Sequence, residues 1–262
     1  VTNREELTVA YTPGVAAPCL EIEKDEMLAY DYTRKGHLVA VITNGTAVLG
    51  LGDIGPAAGM PVMEGKCALF KEFAGIDAFP ICVDSKDPEE LVNIIYKISK
   101  SFGGINLEDI AAPACFEVET RLKEMCDIPV FHDDQHGTAI VVSAAMLNAA
   151  RLKGVKPENM KIVLNGAGAA GISIAKLLIS IGFTNITLCD IFGTLYDGGP
   201  ALSDAQRQMA KITNKEKLAG TLADAMKGAD AFIGVSKGNL VTKDMVRSMN
   251  DKPVIFAMAN PV

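Results

Sequence analysis

From Leu38 onward, short β-rich apolar runs alternate with helical patterns, and this alternation restricts the fold more than any other feature of the sequence. Strands are predicted at 38–43, 78–83, 109–112, 130–132, 161–165, 186–190, 231–235 and 254–258. Helices are predicted at 61–73, 88–102, 116–125, 138–152, 171–181, 222–226 and 243–249. Strands separated by helices build parallel sheets from βαβ units. Asp87-Pro88 places a capping residue before a proline suited to a first helical turn.

The chain has 262 residues, enough for two modest domains. The best break is the polar stretch LKGVKPENMK, which follows a long helix and precedes a new strand. The expected organisation is an N-terminal α/β domain with a parallel sheet over 1–153, then a Rossmann-type dinucleotide-binding domain over 154–262. The last residues, PVIFAMANPV, read as a strand and the start of a loop, so the second domain is expected to be truncated there.

The segment KIVLNGAGAA, followed by Gly171 and an apolar helix, gives Gly166-x-Gly168-x-x-Gly171 between a strand and a helix. Glycines let the backbone turn tightly and approach a pyrophosphate, whose charge then sits at the helix N-terminus. An acid, Asp190, ends the next strand, where a carboxylate accepts from ribose hydroxyls and repels a 2′-phosphate. Ile191 and Phe192 follow with no basic residue, so NAD is favoured over NADP. The alternative is a tight βα turn without a ligand.

Acids cluster in two further places, Glu108-Asp109 and Asp133-Asp134. At the carboxyl ends of parallel strands these groups would repel one another, and a hard dication, Mg²⁺ or Mn²⁺, would neutralise them. Helix capping by Asp134, with the helix starting near Gly137, is the rival reading. His132 and His136 stand four apart, but Gly137 and the aspartates place them in a turn, and no third nitrogen or sulfur ligand completes a zinc set.

A net charge of −7 disfavours nucleic acid and anionic membrane surfaces. The six cysteines (Cys19, Cys67, Cys82, Cys115, Cys126 and Cys189) form no CxxC pair and read as reduced thiols of a cytoplasmic protein. No apolar run reaches membrane-spanning length, and no signal peptide is visible.

Taken in order, several segments resemble the malic enzymes: YTPGVA at 11–16, LGLGDIGPAAGMPVMEGKCALFK at 49–71, EDIAAPACFEVE at 108–119 and FHDDQHGTA at 131–139. NGAGAAG at 165–171, GVS at 234–236 and ANP at 259–261 complete the set, which is most similar to the short prokaryotic form. The resemblance implies oxidative decarboxylation of L-malate to pyruvate and CO₂ with NAD and Mg²⁺ or Mn²⁺. It implies Tyr11 as general acid, Lys66 as general base, and Asp133 as the hydrogen-bonding neighbour of that lysine. It implies Glu108, Asp109 and Asp134 as metal ligands. It implies Gly166, Gly168, Ala169, Gly171, Asp190, Ser236 and Asn260 as cofactor contacts, Asn260 also reaching substrate. A homodimer, with one active site completed by the neighbouring copy, is a further implication.

One departure concerns substrate grip: the larger family members carry an arginine where this chain has Ala47. Lysine is ordinarily protonated at neutral pH, and burial beside a dication is expected to lower the pKa of Lys66. A malolactic or oxaloacetate-decarboxylating relative and a non-catalytic dinucleotide-binding module are the competing readings.

Overall fold

The computed structural model describes residues 1–48, 50–200 and 202–259. Asn260, one of the expected cofactor contacts, lies outside them. The chain opens with three short helices, α1 (Arg4–Ala10), α2 (Ala16–Lys24) and α3 (Ala29–Tyr32), none with a buried residue. None of these helices is among those predicted from the sequence.

The first sheet follows. Strand β1 (Leu38–Thr43) leads through α4 (Pro56–Ala74) to β2 (Asp77–Cys82), then α5 (Pro88–Ile98), β3 (Gly104–Leu107), α6 (Ala114–Met125) and β4 (Val130–His132). All pairings are parallel, in the order β2-β1-β3-β4. Alternate residues of β1, Ala40 and Ile42, face Leu91 and Ile95 of α5 and Leu122 of α6 in one core. Helix α4 packs against β1 and β2.

Helix α7 (Asp133–Lys153) then crosses to the second sheet. That sheet comprises β5 (Ile162–Asn165), β6 (Ile186–Asp190), β7 (Gly193–Thr194), β8 (Ala231–Gly234) and β9 (Val254–Ala257). The order is β7-β6-β5-β8-β9, and only the short β7 runs antiparallel to its neighbour. Helices α8 (Ala169–Ser180), α9 (Asp204–Ile212), α10 (Leu222–Met226) and α11 (Lys243–Arg247) connect its strands. Both sheets are α/β, and the second is Rossmann-like. Helix α7 lies along α8, burying Ala139, Val142 and Met146 with Leu164 and Ile174. Phe116 packs against both cores, and Ala169 of α8 against the first.

Three expectations are corrected. The strand expected at 109–112 lies earlier, at Gly104–Leu107. Asp109 has φ +54°, a left-handed conformation that no strand accommodates. The helix expected at 61–73 begins at Pro56, because Pro56 occupies the first turn, where its missing N–H costs nothing; Pro61 sits inside the helix instead. The helix expected from residue 138 begins at Asp133, so Asp133 to Gly137 are helical rather than a turn. Extended His132 precedes it. Gly154 ends that helix with φ +66°, as a left-handed glycine cap does.

The Gly171 position tolerates no side chain: an added Cβ would lie 1.7 Å from the Gly166 carbonyl oxygen and 3.0 Å from Leu164. Gly171→Ala must therefore separate α8 from β5. A loss of at least about 1–3 kcal/mol is expected in urea denaturation, and an unchanged midpoint would contradict this packing.

Candidate active site

Parallel pairing of β1, β3 and β4 brings their carboxyl ends to one edge, where ligands bind in open α/β sheets. Thr46, Glu108 and Asp109, and Asp133 and Asp134 leave from those ends. The loops are tied together. Thr46 Oγ1 accepts from the Ala111 N–H at 2.9 Å, and the Ala47 N–H donates to the Asp109 carbonyl at 3.0 Å. Gly45 lets the loop close on itself: its φ is +68°, and a Cβ there would lie 2.1 Å from the Gly55 carbonyl oxygen.

Lys66, on α4, reaches this edge from the side. Its ammonium donates to Asp133 Oδ2 at 2.8 Å and lies 3.2 Å from Glu108 Oε1. The other Glu108 oxygen accepts from Asn106 Nδ2 at 2.8 Å. Burial raises the Glu108 pKa to about 7, against the opposing charge of Lys66. For Lys66, burial pulls the pKa down. The hydrogen bond to Asp133 and the charges of Glu108 and Asp133 outweigh it, and the ammonium is held above the ordinary lysine range. The expected lowering by burial is thus one component of the balance, overridden in this arrangement by two carboxylates.

Ligand oxygens of Glu108, Asp109 and Asp134 lie within 4.8 Å of one another. An all-carboxylate set on a strand-end edge fits a hard dication. Asp134 does not cap α7. Its Oδ2 accepts from the Asp109 N–H at 2.9 Å, across from another strand end. His132 is fully buried and 3.5 Å from that same oxygen; burial lowers its pKa, so the imidazole is held neutral. His136 turns away, with Nε2 2.7 Å from buried Glu119 on α6, so the two histidines share no ligand site.

The glycine loop forms the second half of the site. Gly168 is the residue before α8, and a Cβ there would meet nothing, leaving open space at the helix N-terminus. Gly166 has φ +123° and lies against the Ser236 backbone. Asn165 Nδ2 donates to Ser236 Oγ at 3.0 Å, fixing that serine beside the loop. Asp190, at the end of β6, accepts from the Phe192 N–H at 2.8 Å, and Gln206 Nε2 lies 3.4 Å from both Asp190 and the Ala167 carbonyl.

Lys66, Asp133, Glu108, Asp109 and Asp134 are thus gathered in one cluster, and Gly166, Gly168, Ala169, Gly171, Asp190 and Ser236 line the loop region. Tyr11 is not gathered: it ends α1, is 69% exposed, and its hydroxyl bonds to no described residue. Sequence reasoning passed over Asn106, Asn165 and Gln206. Asn106 lies on β3 and Glu108 just past its end, but the strand was expected at 109–112, so nothing in the sequence paired them. Gln206 belongs to a Ser-x-x-Gln capping box at Ser203, which was readable. Asn165 had only its place before the first glycine.

Fold and site together define a dinucleotide-binding α/β protein with a lysine–carboxylate centre on its first sheet. Residues 1–123 match the family model described as malic enzyme, N-terminal domain, and residues 135–262 that described as malic enzyme, NAD binding domain. The chain is 54% identical over 262 residues to the bifunctional malic/malolactic enzyme of Bacillus subtilis, covering all of this chain and 64% of that protein. It is 52% identical over 263 residues to the NADP-dependent malic enzyme of Haemophilus influenzae, covering 100% of this chain and 34% of that one. The crystal structure of the NAD-dependent malic enzyme from Thermotoga maritima superposes with a TM-score of 0.97 at 50% identity, over 100% of this chain and 70% of that chain. This chain belongs to the malic enzyme family.

Between an unfolded glutamate value of about 4.3 and a folded value of about 7, the folded chain binds the Glu108 proton and the unfolded chain does not. Stability contributed at this site therefore falls as pH rises through that window. In chelator-treated protein, the wild type should lose on the order of 2–3 kcal/mol relative to Glu108→Gln between pH 4.5 and 7.5. Parallel stability curves in urea titrations would show that Glu108 is not shifted.

Proposed function

We propose that this chain is the catalytic core of an NAD-dependent, divalent-metal-dependent malic enzyme that converts L-malate to pyruvate and CO₂. The observation that carries the reading is Lys66, bonded to Asp133 and adjoining Glu108, beside the carboxylate set of Glu108, Asp109 and Asp134. A pure binding module has no physical need for that cluster. A domain boundary at 153/154 belongs to the same proposal, supported by the glycine cap that ends α7 there.

Glu108, Asp109 and Asp134 would hold Mg²⁺ or Mn²⁺, which when bound supplies Lewis-acid polarisation of the C2 oxygen of malate. The glycine loop and the α8 N-terminus would hold the dinucleotide, which accepts the C2 hydride. Lys66 takes the C2 hydroxyl proton and becomes an ammonium, which Asp133 orients and balances in charge. For Lys66 to act as base it must first be neutral, so loss of carboxylate charge around it is the condition for its activation. The β-keto acid so formed loses CO₂, Tyr11 donates a proton to C3, and Lys66 or a water restores the proton of Tyr11. The exposure of Tyr11 suits a role at the site of a second copy, in the homodimer that the family resemblance implies. Asn260 is assigned to substrate and nicotinamide.

Asp190 supports NAD over NADP, since the β6 end offers a carboxylate and no cation at Ile191 or Phe192, both well exposed. A malolactic reaction is the second reading, favoured by the likeness to the bifunctional relative. It predicts lactate without net NADH.

The deciding experiment follows NADH at 340 nm with L-malate and NAD, with and without Mn²⁺, alongside pyruvate and lactate assays. Mn²⁺-dependent NADH matched by pyruvate is the expected result; lactate without NADH would replace it with the second reading, and neither product would remove both. Lys66→Ala should lower kcat on the order of 10²–10⁴-fold, and alanine at Glu108, Asp109 or Asp134 should steeply raise the Mn²⁺ needed for half-maximal rate. NAD should exceed NADP in kcat/KM by roughly tenfold or more; equal values would remove Asp190 as the selector.

A further inference from the structure

A cavity of about 740 Å³ opens between α6, α7, α8 and α9. None of the carboxylates of the lysine cluster and none of the loop glycines lines it. Its volume falls within the range of small-molecule sites. Phe116, Ile140, Ile172 and Leu177 supply apolar wall.

The polar groups in this wall are unevenly served. Gln135 is 4% exposed, lines the cavity, and its Nε2 has no hydrogen-bond partner. A buried donor left unmade costs about 1–3 kcal/mol, so an acceptor delivered from the cavity would be rewarded. Lys176 lines the same space, is exposed, and forms no ion pair or hydrogen bond with any described residue. The one acid among the described residues of the wall, Glu119, is already paired: its Oε1 lies 2.7 Å from Lys123 Nζ and 2.7 Å from His136 Nε2. The cavity therefore carries the uncompensated positive charge of Lys176, a buried donor and apolar sides.

We propose that this cavity is a binding site, separate from the catalytic centre, for an organic anion with an aromatic or branched apolar body. An acceptor oxygen of the ligand meets Gln135, its negative charge meets Lys176, and its apolar part fills the space between Phe116, Ile140 and Leu177. The inference does not depend on the malate reading, since no group of the proposed reaction takes part.

The test titrates the full chain with the fluorescent anion 8-anilinonaphthalene-1-sulfonate, and with the uncharged N-phenyl-1-naphthylamine, which shares its apolar body. One saturable site per chain is expected for the anion, undisturbed by saturating NAD, with at least tenfold weaker binding of the neutral compound. Lys176→Glu and Ile140→Asp alter exposed side chains, so thermal melts should match the wild type while anion affinity falls at least tenfold. Leu152→Asp, on the same helix but outside the cavity, should leave affinity unchanged. Displacement of the probe by NAD, equal binding of the neutral compound, or unaltered affinity in Lys176→Glu would each overturn the proposal.

Discussion

The arrangement of this chain turns on the contact between one lysine and buried carboxylates at the ends of parallel strands. Parallel pairing forces β1, β3 and β4 to end at a common edge, so acids that leave those ends must meet. Glu108 is nearly enclosed, and this enclosure, with the charges of Asp134 and Asp133, raises its pKa to about 7 against the opposing charge of Lys66 and the hydrogen bond from Asn106. Lys66 offsets this only in part, because it is shared with Asp133. The edge therefore holds more negative charge than its own cation balances, the electrostatic condition in which a hard dication is bound most strongly.

Helix α7 links that edge to the second sheet. Its first turn carries Asp133 and Asp134, while its body lies along α8, the helix that begins at the glycine loop. The two helices bury a shared apolar surface, so the acids of the first sheet and the loop of the second are held by one packed pair. Phe116 and Ala169, each touching the first core, add contacts across the same junction. A site assembled from two sheets stays aligned only if such a junction is dry and close-packed.

Much of the site was legible because its chemistry is local. Gly166-x-Gly168-x-x-Gly171 needs no partner distant in sequence to declare a tight turn before a helix, and Gly171 is fixed by its clash with the Gly166 carbonyl. The acids stood out by their clustering, though spacing could not separate metal binding from capping. Asp134 bonds to the backbone of Asp109, 25 residues away, a contact that no local pattern encodes. Tyr11 was legible only through family likeness, and within one chain it stays outside the cluster.

The amino-acid sequence by itself determined the alternation of strands and helices, the parallel sheets and the glycine loop, because periodicity and glycine stereochemistry act over a few residues. Tertiary structure decided what depends on distant neighbours. It moved the third strand back to Gly104–Leu107 and made Asp109 left-handed. It drew Asp133 to Gly137 into a helix, and it held Lys66 above its ordinary pKa where burial alone would lower it. Each outcome reflects charge and packing between segments far apart in the chain, where Coulomb interaction and desolvation compete and only their positions in space say which prevails.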